Sequence, residues 1–290
     1  MEKQYTLEVG TILYEKYQIE KILGQGGFGI TYVVNQIDTG VTYAMKEYFP
    51  REICTRDKNG CVVPKEFEKD AFAHGLEVFD GEAIILLCLV NEPGIIHVFD
   101  HFRENETAYF IMEYLEGFTL AEVLHKRKTL SVKEAEMILF SLMKSLKTVH
   151  SVGIVHRDIS PENIFITKEG NVVLLDFGTA RKYVSDKSIS MSVELKMEYA
   201  PLEQYSMQGK QGPWTDVYSL AACFYRMLTG YHIPNAMERV KGKPYTPIAN
   251  YVPDIGQNVE EVLREALAPN YEERIQSMDE FFQRLQSNHR

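Results

Sequence analysis

Along residues 17–112 the apolar positions fall in short β-branched and aromatic runs separated by turn residues. The runs 17–23, 30–36, 41–47, 95–102 and 108–112 predict strands, and so a sheet-rich first part of the chain. Residues 67–89 break the pattern and read as a helix, polar in its first half and apolar in its second. Ahead of it lies an insertion, residues 49–64, in which Asp57-Lys58-Asn59-Gly60 flanked by Ile53 and Val62-Val63 predicts a hairpin.

Past Gly117 the period becomes helical. Capping boxes at Thr119…Glu122 and Ser131…Glu134 mark two helix starts, each bringing a hydroxyl and a carboxylate to orphan amides. In the second helix Ala135, Ile138, Leu142, Leu146 and Val149 form one stripe, which predicts core packing. Two short strands are expected at 163–167 and 172–175, joined by the polar turn Lys168-Glu169-Gly170-Asn171. Residues 217–224 are too apolar for a surface helix and predict a buried central one ending at Gly230, and Ser277…Glu280 caps a last helix.

Composition narrows the class. With 45% apolar and 25% charged residues most of the chain must fold, and at 290 residues it is near the size at which one core divides into two lobes. A net charge of −10 speaks against attachment to nucleic acid or anionic membrane by bulk electrostatics. The longest wholly apolar run, 83–90, falls far short of the roughly 20 residues of a membrane span. No basic-then-apolar leader opens the chain, so a cytoplasmic protein without a membrane segment is expected. Cys54, Cys61, Cys88 and Cys223 show no metal-ligand spacing. Cys88 and Cys223 lie in apolar runs and are expected to be buried thiols, while Cys54 and Cys61 flank the hairpin turn and could pair across it, which a reducing compartment disfavours.

Four groups of residues carry chemistry. Gly24-Gln25-Gly26-Gly27-Phe28-Gly29 follows a strand, and without Cβ atoms its amides can approach phosphate oxygens. Because residues 30–34 continue as a strand, these glycines predict a hairpin lid and not a helix-end phosphate site; alone they are equally a Gly-rich turn. Lys46, in Tyr43-Ala44-Met45-Lys46 on the next strand, is a candidate for the α- and β-phosphates, though by itself it reads as a solvated lysine. His156-Arg157-Asp158 leads to Asn163, and Asp176-Phe177-Gly178 follows at a strand end. Together these supply one base and two hard oxygen ligands suited to Mg²⁺ with a nucleotide.

In this order the four groups resemble the protein kinase family, and the resemblance runs from about Tyr17 to Leu285. It implies an α+β, bilobal fold. After a lead-in at 1–16 come a small antiparallel sheet lobe with one main helix and an extra hairpin at 17–112, a hinge at 113–117, and a larger, mainly helical lobe at 118–290 with an activation segment at 176–203. It implies ATP and Mg²⁺ as cofactors and proteins as substrates. Pro161-Glu162 after the base is similar to the Ser/Thr branch, and the Gly-Gln-Gly-Gly-Phe-Gly-Ile-Thr-Tyr and Lys-Glu-Tyr-Phe-Pro segments are similar to bacterial members.

Role by role, Gly24, Gly26 and Gly29 resemble the phosphate lid, and Lys46 the strand lysine, with Glu82 preferred to Glu77 as its ion-pair partner. Met112 resembles the gatekeeper, Glu113, Tyr114 and Leu115 the adenine-binding hinge, and Ala44 and Phe165 the residues that sandwich the base. Asp158 resembles the catalytic base, Asn163 and Asp176 the metal ligands, and Val98, Leu86, His156 and Phe177 the apolar stack of the active state. Glu203 in Pro201-Leu202-Glu203, its expected partner Arg274, and Asp216 as brace of the catalytic loop are structural assignments. Arg157 and Arg181 resemble the donors for a phosphate on the activation segment, where Ser185, Ser188, Ser190 and Ser192 are candidate phosphorylation sites and Ser192 holds the usual activating position; a kinase dimer phosphorylating itself in trans is implied.

The chain departs from the family in one place near the base. Where Ser/Thr kinases carry Lys two residues after the base and Thr seven before the Ala-Pro-Glu glutamate, this chain has Ser160 and Lys196. Lys196 is therefore the candidate cation for the γ-phosphoryl. Two other readings stay open at this level, a pseudokinase acting as a nucleotide-gated scaffold and a small-molecule kinase on the same fold.

Overall fold

The computed structural model describes residues 5–27, 29–89, 92–178, 180–182 (backbone alone at 181 and 182), 195–206 and 208–287. The chain divides into two units, Met1–Asn91 with Ile96–Glu116, and Glu92–Ile95 with Gly117–Arg290.

The first unit is built on β1 (Ile12–Leu13), β2 (Tyr17–Gln25), β3 (Gly29–Gln36), β4 (Thr42–Tyr48), β5 (Cys54–Arg56), β6 (Val62–Pro64), α1 (Lys69–Cys88), β7 (Val98–Glu104) and β8 (Thr107–Glu113). Six of the strands form an antiparallel sheet in the order β1-β2-β3-β4-β8-β7, and β5 and β6 pair separately as the hairpin. At the head of β3, Gly29 lies opposite Tyr48, and a Cβ there would strike the Glu47 carbonyl, so the close crossing of β3 and β4 requires glycine.

Successive side chains on β4 take opposite faces, so Lys46 and its neighbour Glu47 part company. Glu47 is wholly buried and accepts hydrogen bonds from the Tyr32 hydroxyl (2.9 Å), the Tyr109 hydroxyl (2.7 Å) and Arg56 Nη2 (2.7 Å). Burial, with the Glu47 charge behind it, pushes both phenols far up, which keeps them as donors. Arg56 also donates Nε to the Tyr5 carbonyl and Nη1 to the Gly60 carbonyl, each at 2.8 Å. The hairpin and the residues around Leu7, itself buried, are seated on this face.

The cysteines meet one expectation and correct another. Cys54 lies opposite Pro64 in the hairpin ladder while Cys61 belongs to the turn, so the register keeps them apart; both thiols are free, and Cys54 donates to the Pro50 carbonyl at 3.2 Å. Cys88 is exposed and not buried. At about 100° per residue an eight-residue apolar run wraps the whole helix. Only the face carrying Phe72, Phe79, Ala83 and Leu86 is covered, leaving Ile84 and Leu87 exposed beside Cys88. The expected strand at 95–102 begins instead at Val98, and Ile95 bridges to Leu174 within the second unit.

The second unit contains β9 (Gly117–Thr119), α2 (Leu120–Arg127), α3 (Val132–Ser151), β10 (Ile154–Val155), β11 (Ile164–Thr167), β12 (Val172–Leu174), β13 (Arg181–Lys182), α4 (Pro213–Thr229), α5 (Ala236–Val240), α6 (Gln257–Ala266) and α7 (Met278–Gln286). Both capping boxes form, at Thr119 with Glu122 and Ser131 with Glu134. Helix α4 is buried from Thr215 through Tyr225 and ends at Gly230, whose φ of +76° makes the left-handed cap that frees a helix from its own Cβ clash. Ser277 caps α7 through the Glu280 amide. Among the described residues no helix is long and apolar enough to cross a membrane.

Candidate active site

In the first unit the glycine segment joins β2 to β3, with Gly26 N–H donating to the Gly29 carbonyl at 2.9 Å. A Cβ on Gly24 or Gly27 would meet no protein atom, so the face of this turn is open to a ligand. From β4, Lys46 Nζ reaches Glu82 Oε1 at 3.0 Å and Oε2 at 3.3 Å. Glu82 stands on the buried face of α1 with only 3% of its side chain exposed, whereas Glu77 is exposed on the same helix. The Lys46 ammonium also lies 5.5 Å from the Phe110 ring centroid. An ammonium so placed is held by the Glu82 carboxylate over an aromatic wall, positioned but still partly accessible. Ala44 faces Met112 across the β4–β8 ladder, and Val98 faces Met112 from β7. The Glu113 amide is taken by the His97 carbonyl at 2.9 Å. Leu86 and Val98 are both buried here.

In the second unit Asp216, at the start of α4, organises the loop after β10. It is wholly buried, accepts from the amides of His156 (2.9 Å) and Arg157 (2.8 Å), and lies 2.7 Å from His150 Nε2. Burial works to raise its carboxyl, but the His150 hydrogen bond, the nearby imidazoles and the Arg157 amide outweigh that and hold it below the ordinary value. This carboxylate pins a strained turn: Arg157 sits at φ +73°. His156 in turn lies 3.0 Å through Nε2 from the Leu175 carbonyl and packs edge-on against Phe177, with ring centroids 4.6 Å apart. Asp176, between those two, has φ +52° and accepts the Gly178 amide at 3.1 Å.

Asp158 is the centre of the arrangement. Its Oδ2 accepts from Asn163 Nδ2 at 2.8 Å and from Lys196 Nζ at 3.1 Å, while Oδ1 has no hydrogen-bond partner among the described residues. A second bond at 2.8 Å ties Asn163 Nδ2 to the Asp158 carbonyl. With the amide nitrogen committed, the Asn163 oxygen is the atom left to ligate a cation. Asn163 and Asp176 thus offer two hard oxygen donors, which suits Mg²⁺ that takes its remaining ligands from phosphate and water. Phe165 lies on β11 opposite Thr119 and Val173, partly exposed.

Glu203, at the end of the expected activation segment, is fixed by Arg274. All five guanidinium donors are used: Nη1 on Glu203 Oε1 (2.7 Å) and the Trp214 carbonyl (2.9 Å), Nη2 on Glu203 Oε2 (3.1 Å) and the Pro269 carbonyl (3.1 Å), and Nε on the Ala268 carbonyl (2.9 Å). Ser185, Ser188, Ser190 and Ser192 lie outside the described residues, as does the Arg181 side chain. Three supporting groups were not singled out from the sequence: His150 on Asp216, Ser219 Oγ on the Tyr199 carbonyl (2.9 Å) and Gln204 Nε2 on the Arg157 carbonyl (2.7 Å). Each is a lone polar residue in an apolar helix or loop, a pattern without a local signal, although His150 and Ser219 sit on helix stripes where burial demanded a partner.

The protein kinase domain model matches residues 17–284. The serine/threonine-protein kinase PknA of Mycobacterium tuberculosis is 30% identical over 276 residues, covering 90% of this chain and 58% of PknA. Human ribosomal protein S6 kinase alpha-1 is 29% identical over 217 residues, covering 74% of this chain and 27% of that protein. The chain spans between 26% and 58% of the length of such curated relatives. The solved structure of the PpkA-294 apo form superposes with a TM-score of 0.87 at 32% identity, covering 98% of this chain and 100% of that one. With the protein kinase domain model matching through both units, this chain belongs to the protein kinase family.

Proposed function

We propose that the chain transfers the γ-phosphoryl group of ATP, with Mg²⁺, to Ser or Thr hydroxyls of proteins. The observation that carries this reading is the state of Asp158: one carboxylate oxygen is held by Asn163 and Lys196 and the other is open, the arrangement a base needs to receive and orient a hydroxyl. The names of the relatives as Ser/Thr kinases and the Pro161-Glu162 pair support the choice of acceptor.

The first unit contributes the glycine turn and Lys46 for the phosphates, with Glu82 keeping Lys46 in place, and Ala44, Met112, Glu113 and Leu115 for the adenine. The second contributes Phe165 as an apolar contact for the base, Asp158 for the hydroxyl proton, and Asn163 and Asp176 for the metal. Bound Mg²⁺ would supply neutralisation of phosphate charge. A reaction fed by ATP is expected on the cytoplasmic side, and Ser188, Ser190 and Ser192 are proposed as sites of phosphorylation in trans by a second copy.

The test is transfer of radiolabelled γ-phosphate from MgATP by wild type and Asp158→Asn, with a general basic protein as acceptor and phosphosite mapping afterwards. Label on Ser or Thr that disappears in the variant is the expected result. ATP binding without transfer would favour a nucleotide-gated scaffold, and phosphate only on small-molecule acceptors would exclude proteins as substrates.

A further inference from the structure

The geometry points to Lys196 as the cation that meets the transferring γ-phosphoryl, and to the anchored end of the activation segment as the element that sets its position. This rests on the kinase reading above. Ser160, at the place where the family resemblance has lysine, is wholly buried and carries only a hydroxyl. The charge arrives from 36 residues away: Lys196 Nζ lies 2.7 Å from Ser160 Oγ and 3.1 Å from Asp158 Oδ2. An ammonium has three donors, and these two contacts use two of them. One remains, on a side chain 32% exposed beside a base whose own second oxygen is open.

A hydroxyl accepted at Asp158 Oδ1 and a phosphoryl oxygen held by Lys196 would then be neighbours. As the hydroxyl oxygen bonds to the γ-phosphorus, the bond from that phosphorus to the β,γ-bridging oxygen breaks, its electron pair leaving with ADP, and the hydroxyl proton passes to Asp158. Negative charge on the transferring group is what an ammonium at this position offsets.

Lys196 is set in place from behind. Its carbonyl accepts the amides of Tyr199 (2.8 Å) and Ala200 (2.9 Å), and the Tyr199 carbonyl accepts Ser219 Oγ from the buried helix α4 at 2.9 Å. The cation therefore moves with the activation segment and not with the catalytic loop, and Ser219 becomes a positioning residue that acts through Lys196.

The experiment is single-turnover phosphoryl transfer, with nucleotide affinity from a fluorescent ATP analogue and thermal melting on the same samples. Lys196→Met should slow transfer by about 100-fold while leaving nucleotide affinity within about twofold. The exchange variant Ser160→Lys with Lys196→Thr should recover most of the loss, because the ammonium returns from the other side of the same contact. Ser219→Ala should slow transfer several-fold in the wild-type background, at unchanged nucleotide affinity, and have no effect in the exchange variant. Transfer within about twofold of wild type in Lys196→Met overturns the assignment alone; a wild type that transfers no phosphate to any acceptor overturns the kinase reading with it. Should Lys196→Met melt far below wild type, the exchange variant decides, and no recovery there overturns the proposal.

Discussion

Glu203 and Arg274, 71 residues apart in sequence, meet side by side in two hydrogen bonds of 2.7 and 3.1 Å, with neither side chain more than 3% exposed. A buried pair opened on one side leaves an uncompensated charge, at a cost of about 3 to 5 kcal/mol. Arg274→Ala should therefore lower the unfolding free energy by about that amount in denaturant titration. Arg274→Lys should fail to restore it, because a lysine has three donors for the five contacts that the guanidinium makes.

The Lys46–Glu82 pair gives a different expectation. Lys46 remains 19% exposed, so its loss should harm chemistry more than folding. Lys46→Met and Glu82→Gln should each reduce transfer by about 100-fold or more while shifting the melting temperature little. Glu77→Gln, on the exposed face of α1, should leave transfer unchanged; equal loss in that variant would remove the distinction between the two glutamates.

The four thiols should react in two classes. Burial pushes Cys54 up to about 12 and Cys223 well above the ordinary thiol value, so neither forms thiolate at neutral pH. Cys88 is exposed and Cys61 partly so. Iodoacetamide at pH 7.5 followed by peptide mass spectrometry should label Cys88 and Cys61 in the native protein, with Cys54 and Cys223 labelled only after unfolding.

For Asp216 the sign of the pH dependence follows from its depressed carboxyl. A group lower in the folded state than in the unfolded contributes stability that is complete above the unfolded value and is lost as pH falls through the folded one. The stability gap between wild type and Asp216→Asn should be full at pH 7 and narrow only below about pH 4. A gap that closes well above pH 5 would mean that this carboxylate does not govern the brace.

Much of this molecule was legible in its sequence because local chemistry wrote it there. The Ser131 and Thr119 boxes, the Gly230 cap and the Asp57 turn each depend on residues within a few positions of one another, and each forms. Helix α6 begins after Gly256 with no side-chain cap to announce it, whereas α5 carries a local signal in Asn235 and Glu238. The environment of Glu47 could not be read at all. A glutamate in a strand looks solvated, and only the fold brings Tyr32, Tyr109 and Arg56 around it. The Ser160 and Lys196 exchange lies between these cases: spacing exposed it, but only three dimensions show the two side chains in contact.

The family match begins only at Tyr17, past the lead-in at 1–16. Yet Tyr5 supplies the acceptor for Arg56 Nε, and the Leu7 amide reaches the Tyr32 hydroxyl at 3.2 Å. A protein trimmed to start at Tyr17 would open the Glu47–Arg56 pair to water on the strand that carries Lys46 on its other side. The smallest piece worth expressing begins no later than Tyr5, because the opening segment serves as the floor of the strand on which nucleotide chemistry is proposed to stand.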